Sequence, residues 1–149
     1  MIKAVFIDFY GTVVYEDGEI VNKISNLIFE TGNAKSVSEV DSYWWNSFRT
    51  LFENSYGEKF QTQRALEEEA LADTIDYFKS SENAELLSSE MFDFWMKPTI
   101  FEETKQFFKE CPVPIYIVSN IDRADILEAI KYHDLHPRVV MLKERMQLG

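Results

Sequence analysis

The sequence predicts an α/β fold in which a parallel sheet is interrupted by a long helical insertion. Two short apolar runs, at 4–7 and 115–118, are typical of strands buried on both faces of a parallel sheet. Residues 15–97, between them, keep helical spacing, and helix signals also flank the second run. We therefore expect residues 1–14 and 98–149 to form a Rossmann-like core with an incomplete sheet, and residues 15–97 to form a helical cap.

Small polar side chains follow both predicted strands at the point where each strand ends. Asp8 comes directly after the first run, Gly11 supplies a turn, and Ser119 and Asn120 close the second run. Ligands of open α/β sheets bind at this edge, where helix N-termini favour anionic substrates. A carboxylate held there can attack a carbon or phosphorus centre, forming an ester or acyl phosphate that water then cleaves.

Two helices and a further strand are predicted around the second run. Thr99–Glu102 has the spacing of a capping box and predicts a helix that continues to Glu110. This helix is expected to bury Phe101, Phe107 and Phe108. Asp122 is the expected N-cap of the helix after the second strand, and the apolar residues 139–142 predict a third strand.

The insertion carries signals for four helices. Apolar spacing from Ile20 reaches Gly32, a C-cap residue, and Ser36–Glu39 is a capping box that begins the second helix. A third helix is predicted around residues 66–78, with Glu67, Glu68 and Glu69 mostly in solvent. Phe92 and Trp95 indicate a fourth helix, which completes the predicted cap.

Composition narrows the classes of partner and compartment. The net charge is −11 and no basic stripe is present, so nucleic acid is not an expected partner. The single cysteine, Cys111, cannot form an internal disulfide and suits a reducing cytoplasm. The amino terminus lacks the long apolar region of a signal peptide, and no run approaches membrane-spanning length. We expect a cytoplasmic protein that has no membrane partner.

Two motifs resemble those of the haloacid dehalogenase superfamily. The segment from Asp8 to Thr12, Asp-Phe-Tyr-Gly-Thr, resembles its first motif, and Val118-Ser119-Asn120 resembles its second. The helical insertion lies where that superfamily places its cap, and the resemblance covers roughly residues 1–136. It implies a hydrolase acting on a small anionic substrate. Its nucleophile would be Asp8, assisted by Thr12 and Ser119, with Gly11 and Asn120 contacting the substrate.

Tyr10 separates two branches of that superfamily. Its phosphatases usually carry a second aspartate here as general acid and base, and a tyrosine of ordinary pKa near 10 is a weak acid at neutral pH. The Asp-x-Tyr-Gly-Thr form instead resembles the L-2-haloacid dehalogenases, which implies a 2-haloacid substrate, no cofactor, and Tyr10 as a wall of the pocket. A Mg²⁺-dependent phosphatase and a catalytically inactive binding protein are the alternatives.

The chain departs from the dehalogenase pattern in two places. The family's tryptophan-arginine pair on the cap is Trp45-Asn46 here, and Arg49 is the nearest arginine, so Asn46 and Arg49 are the candidate substrate contacts. The expected carboxy-terminal lysine and acidic motifs are missing, with Lys143 the nearest substitute. We therefore expect a truncated or frame-shifted product, and a homodimer formed through a sheet edge or the cap is an open alternative.

Overall fold

The structure, a computed structural model, describes residues 1–142. Three strands, six α-helices and one short 3₁₀ helix follow one another in this part of the chain. No helix among the described residues is long and apolar enough to cross a membrane. In chain order the elements are β1 Val5–Ile7, α1 Gly18–Thr31, α2 Val37–Asn54, the 3₁₀ helix Gly57–Lys59, α3 Gln63–Tyr77, α4 Ala84–Met96, α5 Glu102–Glu110, β2 Ile115–Ser119, α6 Arg123–Tyr132 and β3 Val139–Leu142.

The three strands form one parallel sheet in the order β1-β2-β3. Ile7 lies opposite Ile117, and Ser119 lies opposite Leu142. Since the strands are parallel, their carboxyl ends share one edge of the sheet. The predicted α/β class, its parallel sheet and the third strand are confirmed.

The described chain forms two compact units. The first, called the core unit below, contains Met1–Glu16 and the chain from Phe94 onward, and it includes the whole sheet. The second, called the helical unit, contains Asp17–Asp93. Each unit has its own fully buried apolar side chains. Those of the core unit include Phe9, Ile117, Ile126 and Leu142, and those of the helical unit include Ile24, Ile28, Val40 and Leu71.

Helix α5 begins later than its sequence signal predicts. Its N-cap is Phe101, which makes no side-chain capping hydrogen bond, so the predicted capping box at Thr99–Glu102 is wrong. The Thr99 carbonyl instead accepts a hydrogen bond from the Tyr15 backbone N–H at 2.8 Å, and Ile100 forms a β-bridge with Val14. These bonds hold residues 99–100 against the loop after β1, and the helix starts only after them.

In the helical unit, the predicted N-cap at Ser36 is confirmed, and the predicted solvent exposure of Glu67 is wrong. Ser36 accepts a hydrogen bond from the backbone N–H of Glu39 at 3.1 Å, as a capping box requires. Glu67, however, is only 8% exposed, whereas its neighbours Glu68 and Glu69 lie in solvent. The expectation that these glutamates lie mostly in solvent holds for Glu68 and Glu69 and is wrong for Glu67.

Candidate active site

Three predicted site residues meet at the carboxyl edge of the sheet. Asp8 follows β1 directly, Ser119 is the last residue of β2, and Asn120 comes next. Because β1 and β2 pair in parallel with Ile7 opposite Ile117, the residues after them lie side by side. Asp8, Ser119 and Asn120 line one pocket of about 370 Å³. Phe6, Ile7 and Val118 complete its lining.

The polar side chains in this pocket differ in their exposure to solvent. Asp8 and Asn120 are exposed, whereas Ser119 is only 8% exposed. The Ser119 hydroxyl accepts a hydrogen bond from the backbone N–H of Ile121 at 3.3 Å, which fixes the turn that leads into α6. The pocket therefore presents a carboxylate and an amide to solvent, with a hydroxyl held behind them.

The loop after Asp8 is held by hydrogen bonds to the backbone carbonyl of Phe9, a buried residue. The Phe9 carbonyl oxygen accepts backbone hydrogen bonds from Thr12, Val13 and Val14 at 2.8–3.2 Å. Gly11 has a φ of 85° and donates its N–H to the Val14 carbonyl at 2.7 Å. This left-handed conformation favours glycine, so the residue type is dictated by the turn. The loop fixes the backbone from which the Asp8 side chain projects.

Gly11 and Thr12 belong to this loop but do not line the pocket. Thr12 is exposed. A Cβ atom added at Gly11 would lie 2.7 Å from an oxygen of the Glu16 carboxylate, so Glu16 rests directly on the glycine. The glycine is thus required both by its backbone conformation and by the close approach of Glu16.

Tyr10 is fixed by a contact within the core unit. Its hydroxyl donates a hydrogen bond to the Trp95 carbonyl oxygen at 2.5 Å, and its ring lies edge-on to Phe9 at 5.1 Å. Tyr10 does not line the described pocket. The tyrosine therefore ties the loop after Asp8 to the end of α4.

The chain is similar to known proteins in structure and not detectably in sequence. No protein-family model matches the sequence, and a search of curated proteins found no significant match. Among solved structures, the L-2-haloacid dehalogenase from Xanthobacter autotrophicus with chloropropionic acid covalently bound superposes with a TM-score of 0.66 at 17% identity. The match covers 99% of this chain and 59% of that chain.

Two further solved structures have the same architecture. The L-2-haloacid dehalogenase RSc1362 gives a TM-score of 0.69 at 17% identity, covering 99% of this chain and 66% of that chain. A magnesium-bound structure of YfnB from Bacillus subtilis gives 0.65 at 13% identity, covering 96% and 66%. The chain has the haloacid dehalogenase fold. It spans 59% to 66% of the length of these structures.

Three further residues were singled out by comparison with the haloacid dehalogenase pattern: Asn46, Arg49 and Lys143. Asn46 and Arg49 are exposed residues of α2 in the helical unit, and neither lines the described pocket. The Asn46 carbonyl oxygen accepts the Thr50 hydroxyl at 2.9 Å, an ordinary bond within the helix. Lys143, the candidate for the missing motif lysine, lies outside the described residues.

The described residues supply few ligands for a metal ion. No group of three or more histidine, cysteine, aspartate or glutamate side chains in residues 1–142 could hold one. Asp8 is the one carboxylate lining the pocket, beside a hydroxyl and an amide. Mg²⁺ prefers six oxygen ligands and is usually bound through one or two carboxylates together with substrate phosphates. The lining offers one carboxylate, a hydroxyl and an amide oxygen, so an ion bound there would keep several water ligands.

Sequence reasoning missed the apolar wall of the pocket and the partner of Tyr10. Phe6 and Val118 line the pocket, although both belong to the strands and not to the polar residues that follow them. The Trp95 carbonyl carried no sequence signal, since any residue type has a carbonyl.

Proposed function

We propose that this protein is a hydrolase of the haloacid dehalogenase type that uses Asp8 as its nucleophile on a small 2-haloacid. The observation that supports this most directly is the exposed Asp8 carboxylate beside Ser119 and Asn120, at the shared carboxyl edge of two parallel strands. A pocket of about 370 Å³ lies in the size range of small-molecule sites. The fold it shares with L-2-haloacid dehalogenases adds support.

The proposed reaction has two steps. An oxygen of the Asp8 carboxylate attacks the halogen-bearing carbon, the carbon–halogen bond breaks, and the halide departs with the bonding electron pair. Water then adds to the carbonyl carbon of the resulting ester, which restores Asp8 and releases the 2-hydroxyacid and a proton. Halide is a weak base and leaves without a proton, so the first step needs no acid near Asp8.

The polar residues of the site would bind the substrate carboxylate. Asn120 would donate its side-chain amide N–H, and the Ser119 hydroxyl would donate from its buried position. Thr12 and Gly11, on the loop after Asp8, would approach the developing charge, and Tyr10 would bound the site. Asn46 and Arg49 are the substrate contacts that we propose from the helical unit.

A Mg²⁺-dependent phosphatase is the second candidate, because the magnesium-bound YfnB structure has the same fold. Two features of this chain weigh against it. When a phosphate ester is cleaved, its alcohol part leaves as an alkoxide, which needs a proton donor. Tyr10 already donates its hydroxyl proton to the Trp95 carbonyl. Asp8 is also the one carboxylate that lines the described pocket, so the lining offers no second carboxylic acid to donate this proton.

The experiment measures halide release from 2-chloropropionate and phosphate release from sugar and nucleotide phosphates, each with and without a chelator. We expect halide release that survives chelation and that falls on the order of a thousandfold or more in Asp8→Asn. Glu103→Gln is the control, since Glu103 is an exposed carboxylate on α5 of the same unit.

Two results would contradict the proposal. Phosphate release that requires Mg²⁺, without halide release, would assign the phosphatase. Absence of all turnover, with 2-chloropropionate binding equally to wild type and Asp8→Asn, would make the chain an inactive binding protein.

A further inference from the structure

The pocket at Asp8 has an apolar wall that the proposed reaction leaves without a role. Phe6 and Val118 form this wall, and they line the same pocket as Asp8, Ser119 and Asn120. The three polar residues account for the nucleophile and for the contacts to the substrate carboxylate. Phe6 is 65% exposed although it belongs to a strand, so its ring is accessible to a ligand in the pocket.

The Phe6 ring is held in place by an aromatic neighbour on the next strand. Phe6 of β1 lies opposite Tyr116 of β2, and their rings stack with centroids 5.1 Å apart and planes 20° apart. Aromatic pairs at this separation attract each other. Stacking with Tyr116 occupies one face of the Phe6 ring and leaves most of the residue exposed. The wall therefore presents a positioned ring, which costs less conformational entropy on ligand binding than a free side chain would.

The apolar wall precedes the reacting and binding groups along each strand. Phe6 comes two residues before Asp8, and Val118 comes two residues before Asn120. In extended chain this spacing corresponds to roughly 6–7 Å. A butyl group on a carbon held at Asp8 is long enough to lie over the wall, whereas a methyl group is too short.

We propose that Phe6 and Val118 form an apolar subsite for the substituent on the 2-carbon of the substrate, which makes longer 2-haloalkanoates the preferred substrate class. The subsite rests on the proposed function, because that function places the 2-carbon at Asp8 and the substrate carboxylate at Ser119 and Asn120. The remaining carbon substituent then lies beside the apolar wall. An apolar substituent gains free energy by leaving water there, whereas a polar one would lose its water without finding a polar side chain on the wall.

The first measurement compares halide release from 2-chlorohexanoate and from 2-chloropropionate, which differ only in the length of the 2-substituent. The ratio of their kcat/KM values should fall about tenfold or more in Phe6→Ala, because a single methylene in an apolar pocket already changes such a ratio by about tenfold. Phe107→Ala is the matched control and should keep the wild-type ratio. It removes a partly exposed phenylalanine of α5 that does not line the described pocket.

A second variant and a binding measurement complete the test. Val118→Thr keeps the branched shape of this β2 side chain but adds a hydroxyl to the wall, and it should lower the same kcat/KM ratio severalfold. Hexanoate and propionate carry no halogen, so their dissociation constants, measured by NMR titration, report binding without turnover. Wild type should bind hexanoate more tightly than propionate, and Phe6→Ala should remove most of this difference.

The two measurements separate failure of the subsite from failure of the proposed function. An equal preference for hexanoate over propionate in wild type and Phe6→Ala would overturn the subsite, and so would a kcat/KM ratio that Phe6→Ala and Phe107→Ala lower alike. Halide release from 2-chloropropionate would then still support the proposed function. Absence of halide release from both 2-haloacids would instead overturn the proposed function, and a preference for hexanoate that is lost in Phe6→Ala would still support the subsite.

Discussion

At the scale of single residues, the candidate site residues at the strand ends could be predicted from the sequence, whereas the long-range contact of Tyr10 could not. Asp8, Ser119 and Asn120 were found from two apolar runs that end in polar residues, and a parallel sheet then places them together. The hydrogen bond from Tyr10 to Trp95 could not be predicted, because its partners are 85 residues apart and one of them is a backbone carbonyl. Local sequence carries no record of such a contact.

Substituting Gly11 tests the loop that carries Asp8. Gly11→Ala forces a Cβ into a left-handed conformation and places it 2.7 Å from the Glu16 carboxylate. We expect a loss of about 1–2 kcal/mol from the backbone conformation alone, and more if Glu16 does not move, measured by urea unfolding. Gly57→Ala is the control for conformation, since its φ is 57° and nothing lies within 4 Å. Equal losses in both variants would show that the Glu16 contact costs nothing.

Removing the Tyr10 hydroxyl tests the tie between the loop and the end of α4. Tyr10→Phe deletes the hydrogen bond to the Trp95 carbonyl, and loss of that bond should cost about 1 kcal/mol of unfolding free energy in thermal or urea melts. Because the proposed halide departure needs no proton from Tyr10, the rate of halide release should stay within severalfold of wild type. A loss comparable with that of Asp8→Asn would show that the hydroxyl takes part in the reaction.

At the scale of helices and strands, the sequence signals succeeded where only local bonds decide. The side-chain cap at Ser36 formed, because its donor and acceptor lie within one turn. The same spacing at Thr99 failed, since Thr99 and Ile100 are bonded to the distant loop residues Tyr15 and Val14. Glu67 was misplaced for a related reason. The buried stripe of α3 is wide enough to include it between Leu66 and Ala70.

The Ser36 cap gives a prediction for the helical unit. Ser36→Ala removes the acceptor for the Glu39 N–H and should lower the unfolding free energy by about 1 kcal/mol, measured by circular dichroism during urea unfolding. Ser42→Ala, at an exposed position inside α2, is the control and should be neutral or slightly stabilising. If both variants behave alike, the cap seen at Ser36 contributes nothing measurable.

At the scale of the whole molecule, charge is divided unevenly. Residues 17–93 contain 16 acidic and 6 basic side chains, so almost all of the net charge of −11 belongs to the helical unit. The α/β class and the helices between the first two strands were predictable because hydrophobic periodicity extends over many residues. The buried Glu67 was not, because a run of three glutamates gives no sign of which one the tertiary packing covers.

Global stability should depend on pH through Glu67. Burial raises its pKa from 4.5 to about 8 in the folded chain, so the unfolded state releases this proton first as pH rises. The contribution to stability is therefore full below about pH 4.5 and is lost between there and pH 8, at roughly 1.4 kcal/mol per unit of pKa difference. Urea unfolding should show Glu67→Gln becoming more stable than wild type across this window. A constant difference between the two would contradict this.

The central claim is that Asp8 forms a covalent ester with the substrate, and one measurement tests it directly. A single turnover of 2-chloropropionate is run with enzyme in excess in water enriched in heavy oxygen, and the peptide containing Asp8 is weighed by mass spectrometry. Because water attacks the ester carbonyl carbon, one heavy oxygen atom should remain in the Asp8 carboxylate. Heavy oxygen in the 2-hydroxyacid product, with an unlabelled Asp8, would mean that water attacks the substrate directly and that Asp8 is not the nucleophile.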